Sequence, residues 1–98
     1  MKLKKSAIAG TLESSDVQVM IEPSDDGLSI ELHSSVKKQY EKQILSTIHD
    51  VLDKLEVKQA NLVIQDQGAL DCTIRSRVQT AVLRASELTE NLPWGTKL

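Results

Sequence analysis

Along Val17-Gln18-Val19-Met20-Ile21, the residues Val17, Val19 and Ile21 fall on one side of an extended chain, which predicts a strand with one buried face. Leu28-Ser29-Ile30-Glu31-Leu32 keeps the same period more strictly and predicts a second half-buried strand. Pro23-Ser24-Asp25-Asp26-Gly27 between them has turn chemistry, because Pro fixes one dihedral and Asp-Gly tolerates positive φ. The two strands are therefore expected to pair as an antiparallel hairpin. The short, small-residued run AIAGTLE at 7–13 is expected to add a third strand. That gives a meander with Glu13-Ser14-Ser15-Asp16 at its first turn.

The period then changes from two to between three and four. Val36, Tyr40, Ile44, Ile48, Val51, Leu52 and Leu55 form one stripe, with Lys37, Lys38, Glu41, Lys42, Asp50, Asp53 and Lys54 off it. This predicts an amphipathic helix over roughly residues 36–55, capped by Ser34 or Ser35, whose hydroxyl oxygen accepts from an otherwise orphan N–H. Ala60–Gln65 reads as a further strand, closed by Asp66-Gln67-Gly68. A second helix is expected from Ala69 or Asp71 to Ser86, with Ile74, Val78, Ala81, Val82 and Ala85 on its buried side. The pattern predicts an α+β fold in two layers: a mostly antiparallel sheet (a β-meander plus one further strand) with two helices on one face. One domain over 1–98 is expected, with 1–6 and 89–98 as tails.

Composition narrows the function classes. Apolar residues are 40% and charged residues 27% of the 98, which is ordinary for a globular chain, but aromatics are only 2%: Tyr40 and Trp94. The core must then be aliphatic, and base stacking is not available as a main function. A formal net charge of -2 argues against nucleic acid or an anionic membrane as partner. No segment approaches the ~20 apolar residues of a membrane span, and the apolar stretch in MKLKKSAIAG is too short for a secretion signal. The single cysteine, Cys72, makes no internal disulfide, so a cytoplasmic location is expected.

Catalytic constellations fail one by one. His33 and His49 lie far apart with no C-x-x-C or H-E-x-x-H, so they read as surface histidines rather than metal ligands. Ser14 has no G-x-S-x-G elbow, and Glu13 and Asp16 would disfavour an oxyanion beside it, which weakens a hydrolase. The four glycines are scattered singly, so no phosphate-cradling loop can be read. Cys72, near a helix start, reads as a small core hydrophobe. Arg75, Arg77 and Arg84 form a mild basic cluster, with Arg77 and Arg84 on one helix face. They are either a solvated face making salt bridges or a docking patch. Trp94, in the Leu92-Pro93-Trp94 tail, either folds back over a small core or anchors another subunit. Ser14-Ser15-Asp16 suits a tight turn and equally suits a modified hydroxyl. A carrier needs no catalytic set, only one exposed hydroxyl, a compact fold behind it and surfaces for partners. A structural or regulatory partner module is the competing class.

Taken in order, AIAGTLESSD at 7–16, HSSVKKQY at 33–40, GALDCTIRSRV at 68–78, LRAS at 83–86 and LPW at 92–94 give a sequence that resembles the acyl carrier protein, or gamma subunit, of citrate lyase. A related carrier subunit serves malonate decarboxylase. The chain lacks the Asp-Ser-Leu signature of fatty-acid carrier proteins. The resemblance implies a non-catalytic subunit whose serine bears a covalent 2'-(5''-phosphoribosyl)-3'-dephospho-CoA arm through a phosphodiester, making it a phosphoprotein. It places the arm on Ser14, because some relatives have Gly at the position of Ser15. It further implies an alpha subunit that exchanges acetyl for citryl on the arm's thiol, a beta subunit that cleaves the citryl thioester to oxaloacetate, and a prosthetic-group transferase. The setting would be citrate fermentation. On this view Gly10 and Ala9 leave room for the transferase, while Glu13 and Asp16 repel the arm from the surface or are read by that enzyme.

Overall fold

The computed structural model describes residues 3–34 and 40–86. Four strands form one sheet: β1 (Ala7–Gly10), β2 (Val17–Pro23), β3 (Leu28–Ser34) and β4 (Ala60–Asp66). The two helices are α1 (Glu41–Lys54) and α2 (Asp71–Ala85). The α+β class, the two layers and the mostly antiparallel sheet agree with the periodicities.

The strand order, however, is β1-β2-β4-β3. β1 and β2 are the expected hairpin, with Ala7 opposite Ile21 and Gly10 opposite Gln18. β2 and β3 do not pair, so the meander is corrected to a hairpin plus a crossover. β4 inserts between them, antiparallel to β2 (Val17 opposite Asp66) and parallel to β3 (Leu28 opposite Ala60). The Pro23–Gly27 segment instead crosses the start of β4, where the Ala60 N–H donates to the Gly27 carbonyl at 3.0 Å. The physical reason lies in β4 itself. Leu62-Val63-Ile64 is consecutively apolar, as suits a strand with neighbours on both sides, whereas β3 is strictly alternating and mostly exposed, as suits an edge. A parallel β3–β4 pair needs a long crossover, and α1 supplies it.

The core is aliphatic. Val17, Val19 and Ile21 of β2 and Leu62 and Ile64 of β4 face Ile48, Val51 and Leu52 of α1 and Val78 and Val82 of α2, and all are buried. Ala9, Ala81 and Ala85 are also buried, and these small side chains accompany the packing of α2 on β1 and β2. Beneath the helices, the other sheet face carries Ile8, Met20 and Val63 in one row. The last turn of α2 is fastened to the start of the chain, since the Lys4 and Lys5 N–H groups donate to the Ala85 carbonyl at 2.8 and 3.0 Å.

Three local expectations change. Ser34 ends β3 and gives its hydroxyl to Asp66 at 2.9 Å, and α1 is preceded by Tyr40 with no side-chain cap. Ser35 and Val36 lie outside the described residues. Tyr40 is half exposed rather than part of the buried stripe. Cys72 is exposed, not a core residue: two positions before Ile74, it sits about 200° round the helix from the buried side.

Candidate functional site

The β1–β2 turn, residues 11–16, carries the serines at the end of the sheet where β3 and β4 also finish. The Asp16 N–H donates to the Glu13 carbonyl at 3.1 Å, closing a β-turn with Ser14 and Ser15 in its middle. Ser15 has φ 64, the left-handed region that favours glycine at that turn position. Ser14 has no such constraint. Both serines are exposed, and the Ser14 hydroxyl has no hydrogen-bond partner among the described residues.

Below the tip the turn is fastened on three sides. Its backbone is zipped to the end of β4: the Ser15 N–H donates to the Gln67 carbonyl at 2.7 Å, and the Gln67 N–H to the Asp16 carbonyl at 2.8 Å. The Asp16 carboxylate accepts from the Thr11 hydroxyl, from the Val17 N–H at 2.7 Å, and from both Nε and Nη2 of Arg77 at 3.2 and 3.0 Å. Gly10, at φ +88, completes the base: an added Cβ would lie 1.8 Å from the Val17 carbonyl oxygen and 3.2 Å from the Arg77 side chain.

These contacts change the roles expected for the neighbours of Ser14. Asp16 is not a free surface charge. It is a structural acceptor, only 15% exposed at its side chain and facing a guanidinium. Glu13 is the acidic residue left exposed at the tip. Gly10 and Ala9 leave no vacancy, since Ala9 is buried and the space beside Gly10 is filled. Arg77 and Arg84 do share one side of α2, and both turn toward β1 and its turn: Arg77 to Asp16, and Arg84 to the Ile8 carbonyl at 2.7 Å. Trp94 lies outside the described residues. The Asp16–Arg77 pair spans 61 residues, and no spacing in the sequence marks it.

The Thr11 hydroxyl, then the Val17 N–H and the Arg77 guanidinium, hold the Asp16 carboxyl down to about 2 from an ordinary 3.8. A depressed carboxyl stabilises the fold fully above its unfolded value and loses that contribution as pH falls toward the folded one. Arg77 is more than a third exposed, so solvent reduces the gain to about 1 kcal/mol. Urea unfolding of the parent and Asp16→Asn is therefore expected to show the parent ahead by about 1 kcal/mol at about pH 5, with the gap closing between about pH 4 and pH 2. A gap that stays constant with pH would remove the carboxylate from this role.

Among the described residues, no group of three His, Cys, Asp or Glu side chains could hold a metal ion, and no helix is long and apolar enough to cross a membrane. The wider comparison is specific. Residues 4–85 match the family model described as ACP, malonate decarboxylase delta subunit (MdcD). A citrate lyase acyl carrier protein of Haemophilus influenzae (strain PittEE) is 52% identical over 91 residues, covering 93% of this chain and 95% of that protein. One from Escherichia fergusonii is 51% identical over 96 residues, covering 97% and 98%. In fold, the chain is similar to one in the crystal structure of a Pseudomonas malonate decarboxylase hetero-tetramer in complex with malonate, with TM-score 0.75, 24% identity and 84% of each chain covered. With half its residues shared along nearly the full length of such relatives, the chain belongs to the citrate lyase acyl carrier protein family.

Proposed function

We propose that this chain is the carrier subunit of a citrate lyase and that Ser14 is where its 2'-(5''-phosphoribosyl)-3'-dephospho-CoA arm is attached. Membership of an acyl carrier family makes it a carrier rather than a catalyst. The observation that carries the choice of residue is the turn. Ser14 is an exposed hydroxyl at the tip of a loop whose base is fixed by Asp16, Arg77 and Gln67. Ser15 sits in the left-handed position where a glycine would serve equally well.

The residues present fit such a group. An acceptor for a bulky phosphodiester has to be unencumbered and to project from the body, and Ser14 does both. When bound, the arm supplies a thiol on a long tether that holds an acyl group as a thioester. The chain's part is mechanical. Its rigid base keeps the attachment point at one end of the sheet, and tethering raises the effective concentration of the cargo at each partner site, on the order of millimolar for a short flexible link. The partners in this reading are the alpha and beta subunits of the lyase and the transferase that installs the arm, in the cytoplasm. The whole of 1–98 acts as one carrier domain, with 89–98 as a tail. Of the stretch 1–6, expected to be a tail, residues 3–5 are instead anchored, since Leu3 is buried in the core and Lys4 and Lys5 are tied to Ala85. Trp94, and the faces of Arg77 and Arg84 left open, are candidates for docking those partners.

A second reading, the carrier of a malonate decarboxylase, is favoured by the description of the matching family model. Co-purification separates the two by which large subunits come with the carrier. The direct test is intact mass after production with and without the arm-building and transfer enzymes, followed by peptide mapping. An increment of one phosphoribosyl-dephospho-CoA on Ser14 is expected. An increment on Ser15 or Cys72 would overturn the site, and none despite active enzymes would leave an unmodified partner module.

A further inference from the structure

Next to the serine turn, the structure has a groove that attachment of the arm to Ser14 does not itself require. It opens between the starts of α1 and α2, outside the carboxyl ends of β3 and β4, with a volume of about 290 Å³. Ligands of open α/β sheets settle outside the carboxyl ends of parallel strands, in crevices left by the connections that follow. Tyr40 and Ile44 line one side, Ala69, Leu70 and Ile74 the other, with Thr47 between them. Leu70 is 70% exposed and Tyr40 49%, so large apolar surface is left in water on both sides.

Resting on the carrier reading, we infer that this groove receives the distal, thioester-bearing end of the arm carried by Ser14, so that the domain shelters its own cargo between partner visits. Three observations commit the groove to that occupant. The first is continuity. The chain that zips to the serine turn at Gln67 runs directly into the groove wall at Gly68, Ala69 and Leu70, three Cα steps or at most about 11 Å away. The second is charge. The groove's own carboxylates are engaged: Asp66 accepts from the Ser34 hydroxyl and the Ala69 N–H, and Asp71 from Thr47 and Arg75. Among the described residues no cation lines the groove, so the described lining suits the neutral pantetheine and acyl end better than the phosphate-bearing end nearer Ser14. The third is size. The volume sits at the low limit of small-molecule sites, roughly 300 Å³, which accommodates a short acyl thioester with part of its amide chain but not a nucleotide.

The test uses the arm-loaded, acetylated protein, with loading verified by intact mass. Its amide spectrum, set against that of the arm-free protein, is expected to shift at 43–48 and 68–74 as well as around Ser14. Leu70→Ser should keep the arm and lose those shifts. Leu70 is exposed and precedes the first residue of α2, where serine is a favoured cap, so the variant folds. Hydrolysis of the acetyl thioester on the isolated carrier should then be about twofold faster or more, as expected for an end docked at least half the time. Verified loading with shifts confined to the serine turn, or unchanged hydrolysis in Leu70→Ser, overturns the inference and leaves the carrier reading intact. The same amides shifting in arm-free protein as its concentration rises would assign the groove to a second copy and also overturn it. Absence of the arm by mass fails the carrier reading first, and the inference with it.

Discussion

Ser14→Ala is expected to fold like the parent, accept no arm and leave a reconstituted lyase without turnover. The substitution removes one exposed hydroxyl that makes no hydrogen bond to a described residue, so its effect on stability should stay within about 0.5 kcal/mol. Its effect on attachment should be total, because Ser15, the other exposed serine of the turn, is not the acceptor in this reading. The informative partner is Ser15→Gly. Ser15 has φ 64, where a side chain costs roughly 1 kcal/mol that glycine does not incur. That variant should be as stable as the parent or slightly more so, and should still gain the full arm mass. Intact mass and thermal unfolding on the two proteins decide the matter. If Ser14→Ala were modified and Ser15→Gly were not, the assignment would be reversed.

Gly10→Ala should do the opposite, damaging the fold while leaving both serines in place. The new Cβ would meet the Val17 carbonyl oxygen at 1.8 Å and its carbon at 2.9 Å, both backbone atoms that cannot rotate away. At φ +88 the alanine is also strained in its own backbone. The last pair of the hairpin, Gly10 with Gln18, must open or shift, and the Asp16–Arg77 contact lies just beyond it. A loss of about 3 kcal/mol is expected, equivalent to more than about 10 °C in melting temperature for a domain of this size. Calorimetry or thermal circular dichroism measures it directly. A shift of only a few degrees would mean that the turn relaxes around the added methyl and that its base is softer than the contacts imply.

Much of this architecture could be read from residue order. The helix stripes through Ile44, Ile48, Val51 and Leu52 and through Ile74, Val78 and Val82 are all buried. β2 and β3 lie where alternation placed them, and β4 lies where its short apolar run did. What alternation does not encode is which strand sits beside which. β2 and β3 each announce a half-buried face, and a Pro/Asp/Gly turn between them suggests a hairpin. The decision belongs to the unbroken Leu62-Val63-Ile64 of β4, whose two-sided hydrogen bonding excludes β3 from β2. For the candidate site, the serine turn was legible as turn chemistry, whereas Gly10, expected to leave room for a transferase, is packed against the Val17 carbonyl and Arg77. The Asp16–Arg77 pair was not, because it is made by the fold bringing together groups that are strangers along the chain. From its place on a helix Arg77 reads as part of a face making salt bridges or a docking patch. It does make a salt bridge, but only the packing of α2 over β1 and β2 reveals that its partner is Asp16 of the turn.

The fastening of the serine turn has a consequence for the order of events in the cell. The turn leaves the ribosome before α2, yet its backbone is held by Gln67 and its carboxylate by a guanidinium 61 residues further on. A nascent chain that has not yet released α2 therefore has Ser14 in its sequence but not in its finished setting. An enzyme that recognises the completed turn passes over unfinished and misfolded copies, so modification of Ser14 would double as a certificate that the carrier is whole.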